Sequence, residues 1–412
     1  MKLNIIVAND FAHVNGGAAQ VALSSAIGLS ERGHDVTFLA AVAPVSKSLR
    51  ESKVNVVLTG QCDIKNDPHR LRAATQGIWN LKSSRMMARL LEQAELDRTV
   101  IHVHGWTKAL TSSIIRAALK YGAAVIVTLH DYFYACPNGG FFNFPKKECC
   151  HLRPLSAACL SENCDRDGYS EKLWRSARQV VQNCFGFRNS PLLSFITISD
   201  FSENILKDFV ARGATTYRVN SPSDFEKEIP VDVSANSRFM SLGRLSPEKG
   251  LDLLARAALE LNCDVTFVGE GPSRAEIQLV NPRAQITGWK SRQEVKACLR
   301  SARCIVLPSR WYEAQPMVIA EAAALGIPAI VADQCAGREM VENNVTGFWF
   351  QSGNWVDLRD KMALLGDGGT TAQMGRAAYQ RHWKDPFTLE KHLDRLELCY
   401  GSALQNRRSK AH

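Results

Sequence analysis

Short apolar, β-branched runs alternate with stretches of helical periodicity along most of the chain. This alternation is typical of parallel β-sheets covered by helices on both faces. In the first half, the runs that predict strands are residues 3–7, 36–40, 54–58, 100–103, 123–129, 195–198 and 215–219. In the second half they are residues 238–242, 264–268, 284–286, 304–307 and 329–331. Apolar positions three or four residues apart predict the helices, among them 17–32, which Gly33 closes, and 171–187.

The two series of strands predict an α/β protein with two doubly wound domains. A polar stretch with one proline at 220–224 separates the series and is interpreted as a linker. We therefore expect a first domain at 1–220 and a second domain at 221–386. The last helical pattern starts at Leu389, and the segment 387–412 is predicted to pack back onto the first domain.

Composition and charge narrow the classes of function. The chain has 412 residues, 45% hydrophobic and 22% charged, which predicts a protein that is folded throughout. The net charge of +9 suits a phosphorylated substrate or an anionic membrane surface, but the basic residues are too evenly spread to favour nucleic acid. No apolar stretch reaches the ~18 residues of a membrane-spanning helix. Because the first residues lack signal-peptide features, we expect a cytoplasmic protein, with peripheral contact at the inner face of the plasma membrane left open.

Candidate ligand-binding residues of the first domain follow predicted strands. Gly16 and Gly17 lie between the first strand and the first helix, where backbone amides can approach a phosphate at a helix N-terminus. A plain tight turn is the alternative. His130 and Asp131 follow the apolar strand 123–129, which places them at the edge of the sheet where such folds bind ligands. An imidazole there can donate a hydrogen bond or contribute charge, and a structural role is the alternative.

A turn at the start of the second domain carries two cations. Arg244 and Lys249 lie between Gly243 and Gly250, after a predicted strand and before a predicted helix. Two permanent positive charges in such a turn can converge on a diphosphate. A solvated basic turn is the alternative.

The densest pattern follows the predicted strand 304–307. Glu313 lies in a loop, and Pro316 is well placed for the first turn of the next helix, so the amides of Met317 and Val318 are expected to be free to hold a phosphate. Glu321 lies about one turn further along, where a carboxylate can accept hydrogen bonds from two ribose hydroxyls.

Glu313 and Glu321 resemble the two carboxylates of the E-x7-E motif of retaining glycosyltransferases of family 4. Gly16-Gly17, His130 and the Arg244–Lys249 turn also fall where motifs of that family fall. The similarity covers nearly the whole chain. It implies a GT-B fold, in which two facing Rossmann-like domains enclose a cleft, with the acceptor mainly on the first domain and the nucleotide sugar mainly on the second.

The resemblance also implies roles for individual residues. Gly17 would lie near the donor phosphates or the reacting sugar, and His130 and Glu313 would contact the sugar and serve in catalysis. Arg244 and Lys249 would hold the diphosphate, Glu321 the ribose, and the turn with Trp289 would meet the base. The sequence departs from the commonest family pattern at Ala314-Gln315-Pro316, which leaves the donor sugar open.

The implied activity is the retaining transfer of a sugar from a nucleotide-diphosphate sugar to a hydroxyl of a glycan or lipid-linked acceptor. The expected setting is bacterial cell-surface, exopolysaccharide or lipopolysaccharide assembly. No cofactor is expected to be required for catalysis. The alternatives are a catalytically inactive scaffold or regulator that binds nucleotide sugars, and an epimerase or phosphorylase built on the same fold.

The residues 131–170 fit neither strand nor helix pattern and are rich in Cys, aromatic residues, Asn and Pro. We interpret them as an insertion at the carboxyl end of a strand that shapes the acceptor site. Structural zinc, packed reduced thiols and a redox or disulfide role remain open for its cysteines, with His151 as a further candidate ligand. These cysteines are Cys136, Cys149, Cys150, Cys159 and Cys164. The other seven cysteines are predicted to be buried thiols.

Overall fold

The computed structural model describes residues 2–187, 190–210, 213–223 and 225–411. Asp224, the last residue of the predicted linker, and His412 lie outside the described residues. The strands are β1 (Asn4–Phe11), β2 (Asp35–Val42), β3 (Asn55–Leu58), β4 (Thr99–Val103), β5 (Ala124–Leu129), β6 (Phe142–Asn143), β7 (Glu148–Cys149), β8 (Leu193–Thr197), β9 (Thr215–Arg218), β10 (Arg238–Leu242), β11 (Val265–Val268), β12 (Gln285–Ile286), β13 (Ala302–Leu307), β14 (Ala329–Ala332) and β15 (Gly347–Phe350).

The helices lie between these strands and after the last of them. They are α1 (Gly17–Glu31), α2 (Lys47–Glu51), α3 (Arg70–Ile78), α4 (Leu81–Glu92), α5 (Ser113–Lys120), α6 (Ala157–Ser161), α7 (Tyr169–Val181), α8 (Asp200–Leu206), α9 (Leu251–Glu260), α10 (Arg274–Val280), α11 (Arg292–Arg300), α12 (Met317–Ala324), α13 (Gly337–Met340), α14 (Trp355–Leu364), α15 (Gly368–Lys384) and α16 (Leu389–Ala411). Among the helices of the described residues, none combines the length and apolarity that crossing a membrane requires.

Two parallel sheets confirm the predicted fold class. The first has the strand order β3-β2-β1-β4-β5-β8-β9 and the second the order β12-β11-β10-β13-β14-β15. Each order reverses once, between β1 and β4 and between β10 and β13, as in doubly wound folds. Strands covered on both faces must be apolar along their whole length, which is why β5 is buried at every residue and could be recognised from its sequence.

The C-terminal helix α16 packs on the first domain. Gly28 in α1 has no side chain, and Leu393 fills the space, since a Cβ at Gly28 would lie 2.6 Å from its Cδ1. The Tyr400 hydroxyl lies 2.7 Å from Nδ1 of His102 in β4. The chain therefore crosses from the second domain back to the first before it ends.

The insertion is more ordered than its sequence suggested. It contains the antiparallel hairpin β6–β7 and the short helix α6, and it reaches the second domain. Lys147 pairs with Glu276, and Arg166 Nη2 lies 3.0 Å from Glu248 Oε1. The insertion therefore bridges the two domains beside the cleft.

Some predictions of local structure were incomplete or wrong. The edge strand β15 was missed because its aromatic run is short, and its backbone is ordered by pairing with β14. Of the seven cysteines predicted to be buried, Cys263 and Cys298 are only partly buried, and Cys62 and Cys184 are exposed. They lie in a loop and in the π-helical turn Gln182–Gly186, where sequence periodicity does not report which side faces the core.

Candidate active site between the two domains

A cavity of about 220 Å³ lies between the two domains. Gly17 at the start of α1 and His130 after β5 line it from the first domain, and Glu313 and Met317 line it from the second. Loops at the carboxyl ends of parallel strands leave such a crevice beside the point where the strand order reverses. Four residues that the sequence predicts for the site therefore meet in one cavity.

The Glu313 carboxylate is buried and paired. Its Oε1 accepts hydrogen bonds from the Lys249 ammonium group and from the Ser309 hydroxyl, the latter at 2.7 Å. Burial by itself raises the pKa of this carboxyl, but Lys249 and the hydrogen bonds outweigh it and hold the pKa below its usual value. Glu313 is therefore ionised at pH 7 and can accept hydrogen bonds from a ligand.

Arg244 lies in the same loop as Lys249 and is held by Glu248. Arg244 Nη2 is 2.6 Å from Glu248 Oε1, and Arg166 of the insertion reaches the same oxygen. Burial raises the pKa of Glu248, but the two guanidinium groups and the Ser246 hydroxyl lower it further than burial raises it. Sequence reasoning gave Glu248 no role, because the partner that crosses from the insertion is remote in the chain.

His130 is an uncharged group in this cavity. Its Nε2 lies 3.0 Å from Nδ1 of His104, which follows β4. Burial lowers the pKa of His130 to about 3 and lowers that of His104 well below its usual value. Of the two roles considered for His130, a hydrogen-bonding group fits this environment and a cation does not.

Asp131 also lines the cavity. Its Oδ1 accepts a hydrogen bond of 3.0 Å from the backbone amide of Phe133. Burial raises the pKa of Asp131 to about 6, although the Phe133 amide and the charges of Lys108 and Arg178 oppose the shift. The ionisation of this carboxyl therefore falls close to physiological pH, which is common for functional acids and bases.

Two helix N-termini point backbone amides toward the cleft. Helix α12 begins at Met317 with Pro316 at its N-cap position, so the amides of Met317 and Val318 lie in its first turn and have no intrahelical acceptor. Glu321 lies one turn further along and is half-buried. Helix α1 begins at Gly17, and Gly16 before it has a φ of 109°, which a residue with a side chain rarely adopts.

Trp289 is separate from the cavity. It lies in the turn after β12 and its side chain is 75% exposed. The cavity lining does not include it. Contact of Trp289 with a base stays a prediction that only a bound nucleotide can test.

Two residues of the cavity wall with polar side chains, Tyr132 and Trp311, were not predicted to bind a ligand, whereas Gln315 belongs to the stretch whose sequence leaves the donor sugar open. The Tyr132 hydroxyl is buried and has no hydrogen-bond partner among the described residues. Buried polar groups are nearly always paired, so this hydroxyl is suited to a ligand oxygen. The Trp311 side chain interacts with the Glu313 carboxylate and helps to lower its pKa. Gln315 instead holds the linker, since its Oε1 accepts a hydrogen bond of 2.7 Å from the Ser221 amide.

Two of the insertion cysteines contact a buried lysine. Lys172 Nζ lies 3.3 Å from the Cys159 Sγ and 3.2 Å from the Cys164 Sγ. Cys136 and Cys149 have other partners, Asn138 Oδ1 and the Arg310 carbonyl oxygen. An ammonium group between two thiols occupies the space that a metal would need.

Across the described part of the chain, no group of three or more His, Cys, Asp and Glu is arranged to hold a metal. Cys150 and His151 therefore do not complete a metal centre with the other four cysteines in this arrangement. All five cysteines of the insertion are free thiols. The residues do not fit structural zinc as they stand, and the zinc site stays a prediction.

Comparisons with known proteins identify the class of the fold and then the family. The chain matches a sucrose-phosphate synthase from Thermosynechococcus elongatus with a TM-score of 0.71 and 15% identity, covering 97% of this chain and 99% of that one. It matches HepE of Anabaena in complex with UDP with a TM-score of 0.64 and 17% identity, covering 98% of this chain and 100% of that one. The fold is that of the GT-B class.

Two family models match the chain. The Glycosyl transferase 4-like domain matches residues 16–155, and Glycosyl transferases group 1 matches residues 224–381. The chain belongs to the group 1 family of glycosyltransferases, of the family 4 type.

Curated relatives match over shorter stretches. The amylovoran biosynthesis glycosyltransferase AmsK of Erwinia amylovora is 25% identical over 39% of this chain and 44% of its own length. A GDP-mannose-dependent α-mannosyltransferase of Mycobacterium tuberculosis is 32% identical over 30% of this chain and 33% of its own. The UDP-Gal:α-D-GlcNAc-diphosphoundecaprenol α-1,3-galactosyltransferase of Escherichia coli is 32% identical over 27% of this chain and 31% of its own. The chain thus spans less than half the length of these relatives.

Proposed function

We propose that the protein is a retaining glycosyltransferase that moves a sugar from a nucleotide-diphosphate sugar to an acceptor hydroxyl. The observation that carries the proposal is the inter-domain cavity, where Glu313, paired with Lys249, faces His130 and Gly17 across the cleft. Relatives whose names specify GDP-mannose and UDP-Gal as donors support a nucleotide sugar.

Residues in and beside the inter-domain cavity have different proposed roles. Arg244 and Lys249 neutralise the charge of the departing diphosphate, so the proposed mechanism assigns that charge to side chains and requires no cofactor. Glu313 and His130 orient the sugar, and Glu321 binds the ribose. The bond from the anomeric carbon to the phosphate breaks, the bond to the acceptor oxygen forms on the same face, and the acceptor proton passes to the leaving phosphate. Orientation and charge then suffice without a protein nucleophile.

The names of two relatives support a proposal for the biological process in which the protein acts. AmsK is named for amylovoran biosynthesis, and the galactosyltransferase is named for a diphosphoundecaprenol-linked acceptor. We therefore propose a role in cell-surface polysaccharide assembly, in the cytoplasm, with a glycan or lipid-linked acceptor and peripheral contact with the membrane when the acceptor is lipid-linked.

A thermal-shift screen with UDP-, GDP- and ADP-sugars tests the donor site. We expect one nucleotide sugar to stabilise the protein, by about 2.7 kcal/mol at 100 times its Kd. Glu321→Ala and Lys249→Ala are expected to abolish the shift, because they remove the ribose and diphosphate contacts. Glu342→Ala is the matched control, since this carboxylate pairs with Arg381 on the surface of the same domain. Absence of any shift in folded wild-type protein would overturn the proposed donor site.

The pH profile tests the cavity carboxylate. We expect kcat/KM to fall by up to about tenfold per pH unit below pH 6, because protonation removes the negative charge of Asp131 and a neutral carboxyl group accepts a much weaker hydrogen bond from the acceptor hydroxyl. Asp131→Asn should lower the rate and remove this acid limb. His130→Asn should lower the rate but keep the limb, since His130 is neutral throughout that range. A limb that disappears only in His130→Asn would assign the titration to the imidazole instead.

An inactive scaffold that binds nucleotide sugars is the second candidate. Release of free nucleotide diphosphate separates the two, because a scaffold binds the donor and releases none. The Glu313–Lys249 pair beside the cavity favours the enzyme, since a lysine placed at the diphosphate neutralises the charge that develops when the sugar is transferred, which binding alone does not require.

A further inference from the structure

A second cavity, of about 340 Å³, opens on the first domain where its strand order reverses between β1 and β4. Open α/β sheets bind ligands in the crevice at this point. We call it the switch-point pocket and define it by Phe11, Asn15, Thr107, Lys108, Phe133 and Arg178. None of the residues assigned to the donor lines it.

The charges in this pocket are unevenly neutralised. The lining includes two carboxylates, Asp63 and Glu171. Of the cations that line the pocket, Lys65 pairs with Asp167 at 2.8 Å. Arg175 pairs with Asp167 at 2.8 Å, with Asp165 at 3.2 Å and with Glu171 at 3.8 Å. The other two cations, Lys108 and Arg178, have no carboxylate within ion-pair distance among the residues that the structure describes. Two lining cations are thus without a close counter-charge.

Arg178 is held rigidly in the pocket wall. Its side chain lies between the rings of Phe133 and Trp174, with the guanidinium carbon 5.4 and 5.2 Å from their centroids. Its Nη1 donates a hydrogen bond of 2.9 Å to the Thr107 carbonyl oxygen. The residue is only 8% exposed. Burial of a cation is costly unless an anion compensates it.

The pKa of Arg178 agrees with this geometry. Burial, with a contribution from Arg175, lowers it to about 10, although the charges of Asp10, Asp131 and Glu171 act in the opposite direction from beyond hydrogen-bond distance. The carboxylates around the group therefore compensate its charge only in part.

Lys108 presents the second charge from a fixed loop. The Asp10 carboxylate accepts hydrogen bonds from the backbone amides of Lys108, Ala109 and Leu110, at 2.8 to 2.9 Å. The exposed Lys108 Nζ lies 3.2 Å from the Asn15 Oδ1. This arrangement leaves the ammonium group at the pocket with neutral partners only.

The pocket borders the proposed reaction site. Asn15 directly precedes the Gly16-Gly17 turn, and Phe133 donates its backbone amide to Asp131, which lines the inter-domain cavity. Lys108 and Arg178 both lower the pKa of Asp131, which shows that their charges reach that carboxyl. A molecule in the pocket could therefore extend a hydroxyl toward Asp131.

We propose that the switch-point pocket binds the acceptor through an oxyanion, a phosphate or a carboxylate carried by the acceptor sugar, which Lys108 and Arg178 hold. This inference rests on the proposed glycosyltransferase function and names the acceptor class. A guanidinium and an ammonium group that line the same pocket recognise oxyanions of either chemistry.

Saturation-transfer NMR titrations with glucose 1-phosphate, glucuronic acid and glucose distinguish the sources of the oxyanion. We expect one of the two anionic sugars to bind and glucose to bind at least about tenfold more weakly, since loss of one charge-assisted contact costs about 1.5–3 kcal/mol. Lys108→Ala should weaken anion binding about tenfold, and Lys108→Arg should retain it. Lys65→Ala should weaken it less than Lys108→Ala does, because Asp167 already neutralises Lys65.

Arg178→Gln should weaken binding at least as much as Lys108→Ala, and the exposed Lys108 keeps the test valid if that variant fails to fold. Equal binding of glucose would overturn the inference. Binding that Lys249→Ala removes and Lys108→Ala does not would also overturn it, because the anion would then occupy the donor site.

A thermal shift with the nucleotide sugar in the same samples separates the two proposals. A donor shift without anion binding overturns only the acceptor inference, and anion binding without any donor shift overturns the proposed function.

Discussion

Replacement of Lys249 by alanine is expected to lower kcat/KM about 10²–10³-fold, because it removes a fixed positive charge from the site where the diphosphate departs. The same change should destabilise the protein. Glu313 would remain buried with the Ser309 hydroxyl as its partner, and breaking a buried ion pair from one side costs about 3–5 kcal/mol. Initial rates and urea unfolding measure the two effects separately.

The double variant Lys249→Ala/Glu313→Gln separates charge from packing. A neutral amide needs no counter-charge, so we expect the double variant to recover most of the lost stability while its rate stays at or below that of Lys249→Ala. Lys361→Ala is the matched control. Lys361 pairs with Asp357 at 3.9 Å in a surface helix of the same domain, and such pairs contribute about 0–1 kcal/mol. A Lys249→Ala variant that is unstable but turns over at the wild-type rate would reduce Lys249 to a structural role.

Replacement of Gly250 by alanine is expected to destabilise the second domain by about 2–5 kcal/mol, from the left-handed backbone and from overpacking together. Gly250 has a φ of 62°, and a Cβ there would lie 2.1 Å from the Pro308 carbonyl oxygen. Because Gly250 follows Lys249 and Pro308 precedes Ser309, relief of this clash must move the loops that hold Glu313. We therefore expect weaker donor binding in the thermal-shift assay as well as a lower midpoint of urea unfolding.

Gly60→Ala isolates the clash from the backbone strain. Gly60 has a φ of 63°, nearly that of Gly250, but a Cβ there would meet no atom within 4 Å. We expect it to cost about 1–2 kcal/mol and to leave donor binding unchanged. Equal losses of stability in the two variants would mean that the backbone conformation, and not the contact with Pro308, explains the effect at Gly250.

The fold could be predicted from the sequence to a large extent. Buried parallel strands are apolar along their whole length and the helices between them are amphipathic, so both series of elements were visible as patterns. The edge strand β15 was not, because its short aromatic run gains its structure by pairing with β14. The insertion resisted prediction for a related reason, since its two-residue strands and its five-residue helix are too short to show a periodicity of their own.

The candidate site, too, could be predicted only in part from the sequence. The sequence by itself determined the chemical groups and their loops, because Glu313, Met317 and His130 each follow a recognisable strand and the carboxyl ends of such strands must face the cleft. The tertiary structure alone decided the charge of those groups. His130 is neutral because burial lowers its pKa, and Glu313 is ionised because Lys249 comes to it from another loop.

The switch-point pocket, likewise, could be found only in the tertiary structure. Lys108 and Arg178 are 70 residues apart, and nothing in their local sequences distinguishes them from the paired cations nearby. Local sequence fixes which chemical groups a chain carries and which elements form around them. Burial and the identity of the nearest opposite charge depend on segments that meet only after folding, and in the switch-point pocket those two quantities distinguish Lys108 and Arg178 from the paired cations beside them.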